Sequence, residues 1–474
     1  MERASAVVQG HYASLEQPYS GARAVELEQR FANVDPCPDE GEPLDVVLQW
    51  VGENILADSI AVSHPLTMAH LHCAPLVPAL AAEVMISAAN ASMDSWDQAP
   101  AASHLEQRVV QWLAARFGLG PSADGIFTSG GTQSNLVGLL LARDVHCRRE
   151  YGTSVQRCGL PSAAPRLRIL CSTAAHFSVQ QSAAILGLGH DAVVPVAVDG
   201  QQRMDVHALA ATVTKLREQG LDPIAVVATV GTTDFGSIDP LRPIADIAVR
   251  ERLWLHVDAA YGGALALSDR LRARLDGIAA ADSLTVDFHK LFWQPISASA
   301  LLVRDRSAWE VLRLHADYLN PAEPETEGVV DLVTKSIQTS RRFDALKVFV
   351  TLRTLGRRRF AQLVEDTVDL AAAVALRIGE DPFFEATAPP AINSVVFRCA
   401  GPRWSGEAAD RINARVRNDL LLSGRAVLGR TRFEGRTWLK LTLLNPGVDA
   451  ARLGRLMDDV KAAATRLAAE LDAT

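Results

Sequence analysis

Between residues 167 and 290 the chain repeats one pattern: a short apolar run, a polar residue or two, then an amphipathic stretch. The apolar runs fall at 167–171, 192–198, 224–229 and 253–257, and the stretches 178–186, 204–219 and 244–250 between them read as helices. Buried strands alternating with helices specify a mostly parallel sheet covered on both faces. Ligands of such sheets gather beyond the carboxyl ends of the strands. The residues that follow the runs are therefore read together: His176, Gly231-Thr232-Thr233, Asp258 and His289-Lys290. Four polar groups at equivalent topological positions point to a common pocket.

Within that set the lysine is the least expected. Lys290 follows the alternating run Leu284, Val286, Phe288 and precedes Leu291-Phe292-Trp293. Lysine is seldom buried without a partner, and burying its charge costs free energy unless the charge is paired or lost. Two readings are open here: a strand-end lysine that reaches solvent, or an amine bound covalently to an aldehyde, as in pyridoxal phosphate (PLP) enzymes. Asp258, in HVDAAYGGA, carries two readings as well. It caps the next helix, or it is the carboxylate that keeps a pyridine nitrogen protonated. Upstream, Gly125 to Asn135 reads as a short strand, a Gly130-Gly131 turn and a helix start bearing Thr132 and Ser134. Such a start offers free N–H groups to a phosphate, although neither GxxxxGK[ST] nor GxGxxG is present and a plain glycine turn has the same look.

The rest of the chain bounds the answer. With 474 residues it exceeds one simple core. It is expected to divide into a helical N-terminal arm (1–95), a large α/β domain (96–355) and a small C-terminal α/β domain (356–474). Leu44, Val47, Leu48, Trp50, Val51 and Ile55 recur at helical spacing in the arm, which reads as a segment that packs on something else, such as a second subunit. A net charge of −8 with no long basic run argues against nucleic acid. No apolar run is long enough to span a bilayer, and the N-terminus has no signal-type apolar core. Six scattered cysteines form no CxxC pair, so neither a zinc site nor a disulfide framework is indicated. A cytoplasmic protein is expected. His64, His70 and His72 include a His-x-His pair, but no acid or cysteine follows at ligand spacing, and they read as loop histidines near a pocket rather than as a metal site.

Taken together, FTSGGTQSN, HFSVQQSA, VGTTDFGSID, HVDAAYGGA, TVDFHK and RRFDALK resemble the group II PLP-dependent amino-acid decarboxylases, a fold-type I family, from about residue 45 to 446. HKLFWQPISASALLVRD, HADYLNP and RAVLGRTRFEG are similar to its diamino-acid branch, the L-2,4-diaminobutyrate decarboxylases and the lysine decarboxylases of hydroxamate siderophore pathways. The resemblance implies that Lys290 binds the PLP aldehyde and that His289 contacts the phosphate or imine region. It implies that Asp258 pairs with the pyridine nitrogen, Ala260 lines the ring and His176 stacks on it. Gly131 and Thr132 would hold phosphate, with Thr232 near the ring hydroxyl. Ser340 and Arg341 match a segment that in relatives reaches a neighbouring subunit's phosphate, which implies a homodimer with shared active sites. The implied reaction is α-decarboxylation of a basic L-amino acid such as 2,4-diaminobutyrate, lysine or ornithine. The alternatives are a glutamate or aspartate decarboxylase, or a PLP-binding relative with an aldehyde-synthase or non-catalytic role.

One departure bears on the chemistry. Several relatives carry a tyrosine on a mobile loop that returns a proton after CO2 leaves. The corresponding polar segment here, 320–335, reads as mobile or subunit-bridging, and no tyrosine lies between Asn320 and Arg341. Tyr318, His315 and His176 are the other candidates. The acids Glu323, Glu325, Glu327 and Asp331 either attract a cationic substrate or merely solvate the segment.

Overall fold

The structure, a computed structural model, describes residues 1–314, 328–401, 404 and 406–472. His315, Tyr318, Glu323, Glu325 and Glu327 lie outside the described residues. The chain forms two compact units, residues 75–366 and residues 1–74 together with 367–474. Among the described residues the strands are β1 (Thr67–Met68), β2 (Asp124–Thr128), β3 (Leu167–Ser172), β4 (Val193–Val196), β5 (Asp222–Thr229), β6 (Trp254–Asp258), β7 (Ser283–Asp287), β8 (Ser299–Val303), β9 (Phe384–Ala386), β10 (Ser394–Cys399), β11 (Val427–Phe433) and β12 (Arg436–Thr442).

The unit of residues 75–366 is built on a seven-stranded sheet in the order β2-β8-β7-β6-β5-β3-β4. β4, β3, β5, β6 and β7 pair in parallel, and β8 runs antiparallel to both β7 and β2. A parallel return needs a crossover of a dozen or more residues, usually a helix. The connection 288–298 contains none, so β8 comes back reversed. The carboxyl ends of β2, β3, β5, β6 and β7 consequently line one edge of the sheet. Every residue of β7 and β8 is buried, as expected of strands covered on both faces.

Helix Gly131–Tyr151 lies at the centre of this unit. Leu139 and Ala142 join an apolar cluster with Ile169, Val179 and Val227, while Val137 and Leu141 join another with Ile126 and Leu301. It is apolar on more than one face because it is buried on more than one face. Gly138 permits that approach: a Cβ there would come 2.6 Å from the imidazole ring of His256 on β6. The turn at the helix start is thereby fixed over the sheet edge. Helix Ala345–Glu380 is interrupted at Gly356, whose φ of 69° is a backbone state that glycine adopts without a Cβ clash.

The other unit holds a five-stranded sheet, β1-β11-β12-β10-β9, in which only β1 and β11 pair in parallel. Helices Gly406–Leu422 and Ala450–Asp472 cover it, burying Val416, Leu420, Leu453 and Val460 with Phe397 and Leu439. Helices Glu2–Ala13, Ala24–Phe31 and Leu44–Val51 of the same unit bury no residue. Among the described residues no helix is long and apolar enough to cross a membrane.

Candidate active site

The turn after β7 presents Lys290. Its Nζ lies 2.8 Å from Oδ2 of Asp287, the last residue of the strand, and Asp287 is 2% exposed. The Ser299 hydroxyl, arriving on β8, donates to Asp287 Oδ1 at 2.6 Å. The antiparallel return therefore fixes the carboxylate that faces the lysine. His289 sits beside them, its Nδ1 bonded to the Ala298 carbonyl (2.9 Å) and its Nε2 3.6 Å from Asp287 Oδ2.

Gly131 backs onto the same group. A Cβ at Gly131 would come 3.0 and 3.1 Å from the Asp287 carboxylate oxygens and 3.2 Å from Ala260 Cβ. The turn after β2, the residue beyond β6 and the lysine turn thus meet at one point. The N–H groups of the first helical turn at Gly131 and Thr132 have no helical acceptors and are free for an anion. Ser129 frames the turn, its N–H and hydroxyl both donating to Gln133 Oε1 at 2.7 Å. Beside it opens a cleft of about 330 Å3 lined by Thr128, Ser129, Ser297, Gln338, Ser340 and Arg341.

Asp258 closes β6 and is 6% exposed. Its Oδ2 accepts from Asn135 Nδ2 at 2.8 Å and its Oδ1 from the Ala260 N–H at 3.1 Å. His176, beyond β3, has its Nδ1 2.8 Å from the Ser178 hydroxyl. Burial lowers its pKa and Lys290 adds to this, while Asp258 and Asp287 pull the other way. His176, Asp258, Asp287 and Lys290 therefore share one electrostatic environment. Thr232 lies in the tight turn after β5, where its Oγ1 accepts from the Ser237 N–H and Gly231 has a φ of 95°.

Arg341 is 8% exposed and holds groups of its own chain. It donates to Glu106 Oε2 and to the Phe127 carbonyl, both at 3.2 Å. Among the described residues no group of three or more His, Cys, Asp and Glu is arranged to hold a metal ion.

The arrangement fits PLP. A partly buried amine for the aldehyde, a carboxylate on a neighbouring strand for the ring nitrogen and a glycine turn for the phosphate all converge. Asp287, Asn135 and Glu106 are functional candidates that the sequence reading passed over. Asp287 carries the signal that singled out Asp258, an acid closing an apolar run. Asn135 and Glu106 give no such signal, because their weight comes from partners distant in sequence.

The pyridoxal-dependent decarboxylase conserved domain matches residues 29–400 of this chain. The chain is 43% identical over 452 residues to the L-2,4-diaminobutyrate decarboxylase of Rhizobium meliloti (strain 1021), covering 95% of this chain and 88% of that protein. It is 42% identical over 459 residues to the L-2,4-diaminobutyrate decarboxylase of Acinetobacter baumannii, covering 95% and 90%. The crystal structure of the glutamate decarboxylase domain of diaminobutyrate-pyruvate transaminase and L-2,4-diaminobutyrate decarboxylase from Vibrio parahaemolyticus superposes with a TM-score of 0.90. Identity is 40%, and the match covers 98% of this chain and 95% of that one. The chain belongs to the pyridoxal-dependent decarboxylase family: it is a PLP-dependent amino-acid carboxy-lyase of fold-type I.

Proposed function

We propose that this decarboxylase acts on a basic L-amino acid, with L-2,4-diaminobutyrate first and lysine or ornithine as the longer homologues. The observation that carries the reading is the identity of 43% and 42%, each over 95% of the chain, with two proteins of that activity. When bound, PLP supplies an electron sink for the pair released as CO2 departs. The residues of this chain hold and bias that group. Lys290 would hold the group through its Nζ amine, with Asp287 as the partner of that amine when it is free. Asp258 keeps a proton on the ring nitrogen, and the Asn135 amide and the Ala260 N–H keep Asp258 aimed. The N–H groups at Gly131 and Thr132 hold the phosphate, with His289 beside them and Ser340 across the cleft. Ala260 and Thr232 would border the ring. His176, which shares the electrostatic environment of Asp258 and Lys290, would lie beside the ring and hold a proton on its imidazole. Asp287 receives the Lys290 ammonium and keeps it within reach while the substrate occupies its place.

A CO2-release assay on the PLP-loaded enzyme tests the substrate class. Diaminobutyrate, lysine and ornithine are compared with glutamate, aspartate and aromatic amino acids. The highest kcat/KM is expected for a diamino acid. A preference for glutamate or aspartate, or an aldehyde product in place of the diamine, overturns the reading.

A homodimer is part of the same proposal. It is supported by the apolar residues displayed on helices that bury nothing, with Val25, Leu44 and Val46 at 60%, 63% and 50% exposed.

A further inference from the structure

The Asn135 amide that aims Asp258 belongs to a buried polar network that runs on through Ser178 to His176 and through His256 to Ser283. Asn135 (1% exposed) is its hub. Its Nδ2 donates to Asp258 Oδ2 at 2.8 Å and to Ser178 Oγ at 2.9 Å. Its Oδ1 lies 2.8 Å from Thr285 Oγ1 and 3.0 Å from His256 Nε2. His256 Nδ1 lies 2.7 Å from Ser283 Oγ, which accepts from the Trp254 Nε1–H at 2.8 Å. At the other end Ser178 Oγ lies 2.8 Å from His176 Nδ1.

Donor–acceptor complementarity fixes the direction of these bonds. Both oxygens of Asp258 act as acceptors, so the amide group that faces it must be the NH2 of Asn135; the flipped amide would set a carbonyl oxygen against a carboxylate. The Asn135 carbonyl then faces His256 and Thr285, and both donate to it. His256 therefore carries its proton on Nε2, and Nδ1 accepts from Ser283. Burial agrees, pushing the His256 imidazole down to about 4 against the pull of Asp258, so the ring is neutral and one nitrogen must accept. On the other side Ser178 Oγ accepts from Asn135 and is left to donate to His176 Nδ1. The Ser178 N–H points at the same nitrogen from 3.3 Å. Two donors converge on Nδ1, so the proton of the neutral His176 ring sits on Nε2.

We infer that Asn135 is the positioning residue that ties the Asp258 carboxylate to the His176 imidazole, and that through Ser178 it holds the His176 proton on Nε2. The inference rests on the placement of Asp258 and His176 against the cofactor ring. It does not depend on which amino acid is decarboxylated. One amide thus sets two properties of the site: the aim of the charge behind the ring nitrogen, and which nitrogen of His176 offers a proton.

The test uses PLP-loaded enzyme with 15N-labelled histidine, and the His176 resonances are assigned by their loss in His176→Gln. The wild type is expected to show a protonated Nε2 and a bare Nδ1 at His176. Ser178→Ala loses the 2.8 Å hydroxyl but keeps the 3.3 Å backbone donor, so a measurable share of the Nδ1-protonated tautomer is expected to appear and kcat to fall, with PLP affinity within about twofold of wild type because Asp258 keeps Asn135. Asn135→Leu, similar in volume, should mix the tautomers and also weaken PLP binding roughly tenfold or more, the size of one lost hydrogen bond to a charged group. PLP binding is read by titrating the cofactor-free protein. A wild-type proton on Nδ1, a Ser178→Ala protein with unchanged tautomer, or an Asn135→Leu protein that binds PLP as well as wild type overturns the inference. Ser178→Ala that loses the tautomer yet keeps kcat supports the network and counts against a proton role for His176 itself.

Discussion

Lys290 has two jobs that a single substitution confounds. In the proposed role it holds the cofactor, and in the structure it is the cation facing Asp287, a carboxylate with 2% exposure. Removing one partner of a buried pair leaves the other uncompensated, at a cost of up to roughly 3–5 kcal/mol for full burial. The lysine side chain is 18% exposed, so about half that range is the better figure here. Lys290→Ala should therefore lose both the near-visible absorbance of the cofactor linkage and CO2 release, and should also lower the Tm of the cofactor-free protein. Adding Asp287→Asn should restore most of that Tm while absorbance and activity stay absent. If Lys290→Ala alone melts with wild type, the Asp287 ion pair has no structural weight. Asp258 separates in the same way between binding and rate. If Asp258 faces the ring nitrogen as proposed, Asp258→Ala should lose on the order of 100-fold in kcat, the scale of one preorganised electrostatic contact, and less in KM. An Asp258→Ala enzyme with unimpaired turnover removes that role.

At the scale of elements, β2 is an edge strand, and edge strands leave backbone groups unpaired. Here side chains take the place of a neighbour. Glu106, fully buried on helix Pro100–Phe117, accepts from the Phe127 N–H at 3.1 Å, and Arg341 donates to the Phe127 carbonyl. The two are paired with each other, and Lys335 reaches Asp124 at the start of the strand at 2.6 Å. The residues after the 315–327 segment are in this way fastened to the strand that carries the Gly130-Gly131 turn. Glu106→Ala should cost roughly 3–5 kcal/mol in chemical denaturation by stranding Arg341, and should weaken PLP binding because the turn loses its brace. Recovery of stability without recovery of PLP affinity in Glu106→Leu/Arg341→Met would separate the fold from the cradle. A second element-scale effect is electrostatic. Asp239 accepts from the Met204 and Thr229 N–H groups, yet burial raises its carboxyl to about 6. A folded value above the unfolded one means that its contribution is fully present below about pH 4 and is lost as pH rises through 6. Relative to Asp239→Asn, the wild type should lose up to roughly 3 kcal/mol between pH 4 and 7; a pH-independent gap in urea midpoints would count against it. What the sequence made legible follows the same division. The strand ends that carry His176, Asp258 and Lys290 could be read because buried strands are continuous apolar runs, and the residue after each run stands out. The reversal of β8 and the roles of Asp287, Glu106 and Asn135 could not. They depend on which side chain arrives across the sheet, and no local pattern records that.

For the whole molecule, the open question is what covers the N-terminal helices. Glu2–Ala13, Ala24–Phe31 and Leu44–Val51 bury no residue, although Leu44–Val51 is strongly apolar. Helices this short are marginal in water without tertiary packing. Their apolar faces need a partner, and isologous pairing with a second copy is the commonest way a soluble chain supplies one. A dimer also gives Ser340 and the cleft beside Ser129 a reason to lie open at the surface, if each active site is completed by its neighbour. Sedimentation at micromolar concentration should return twice the 51.0 kDa chain mass. Charge placed on the exposed apolar faces, Val25→Glu with Leu44→Glu and Val46→Glu, removes no contact within the subunit core, so it should leave the far-UV spectrum unchanged. It should shift the protein to monomer and, since each site would then lack its neighbour, lower PLP affinity and CO2 release together. A monomeric triple variant with wild-type activity would leave the dimer possible and the shared site refuted; a wild-type chain that sediments as a monomer while fully active would refute both.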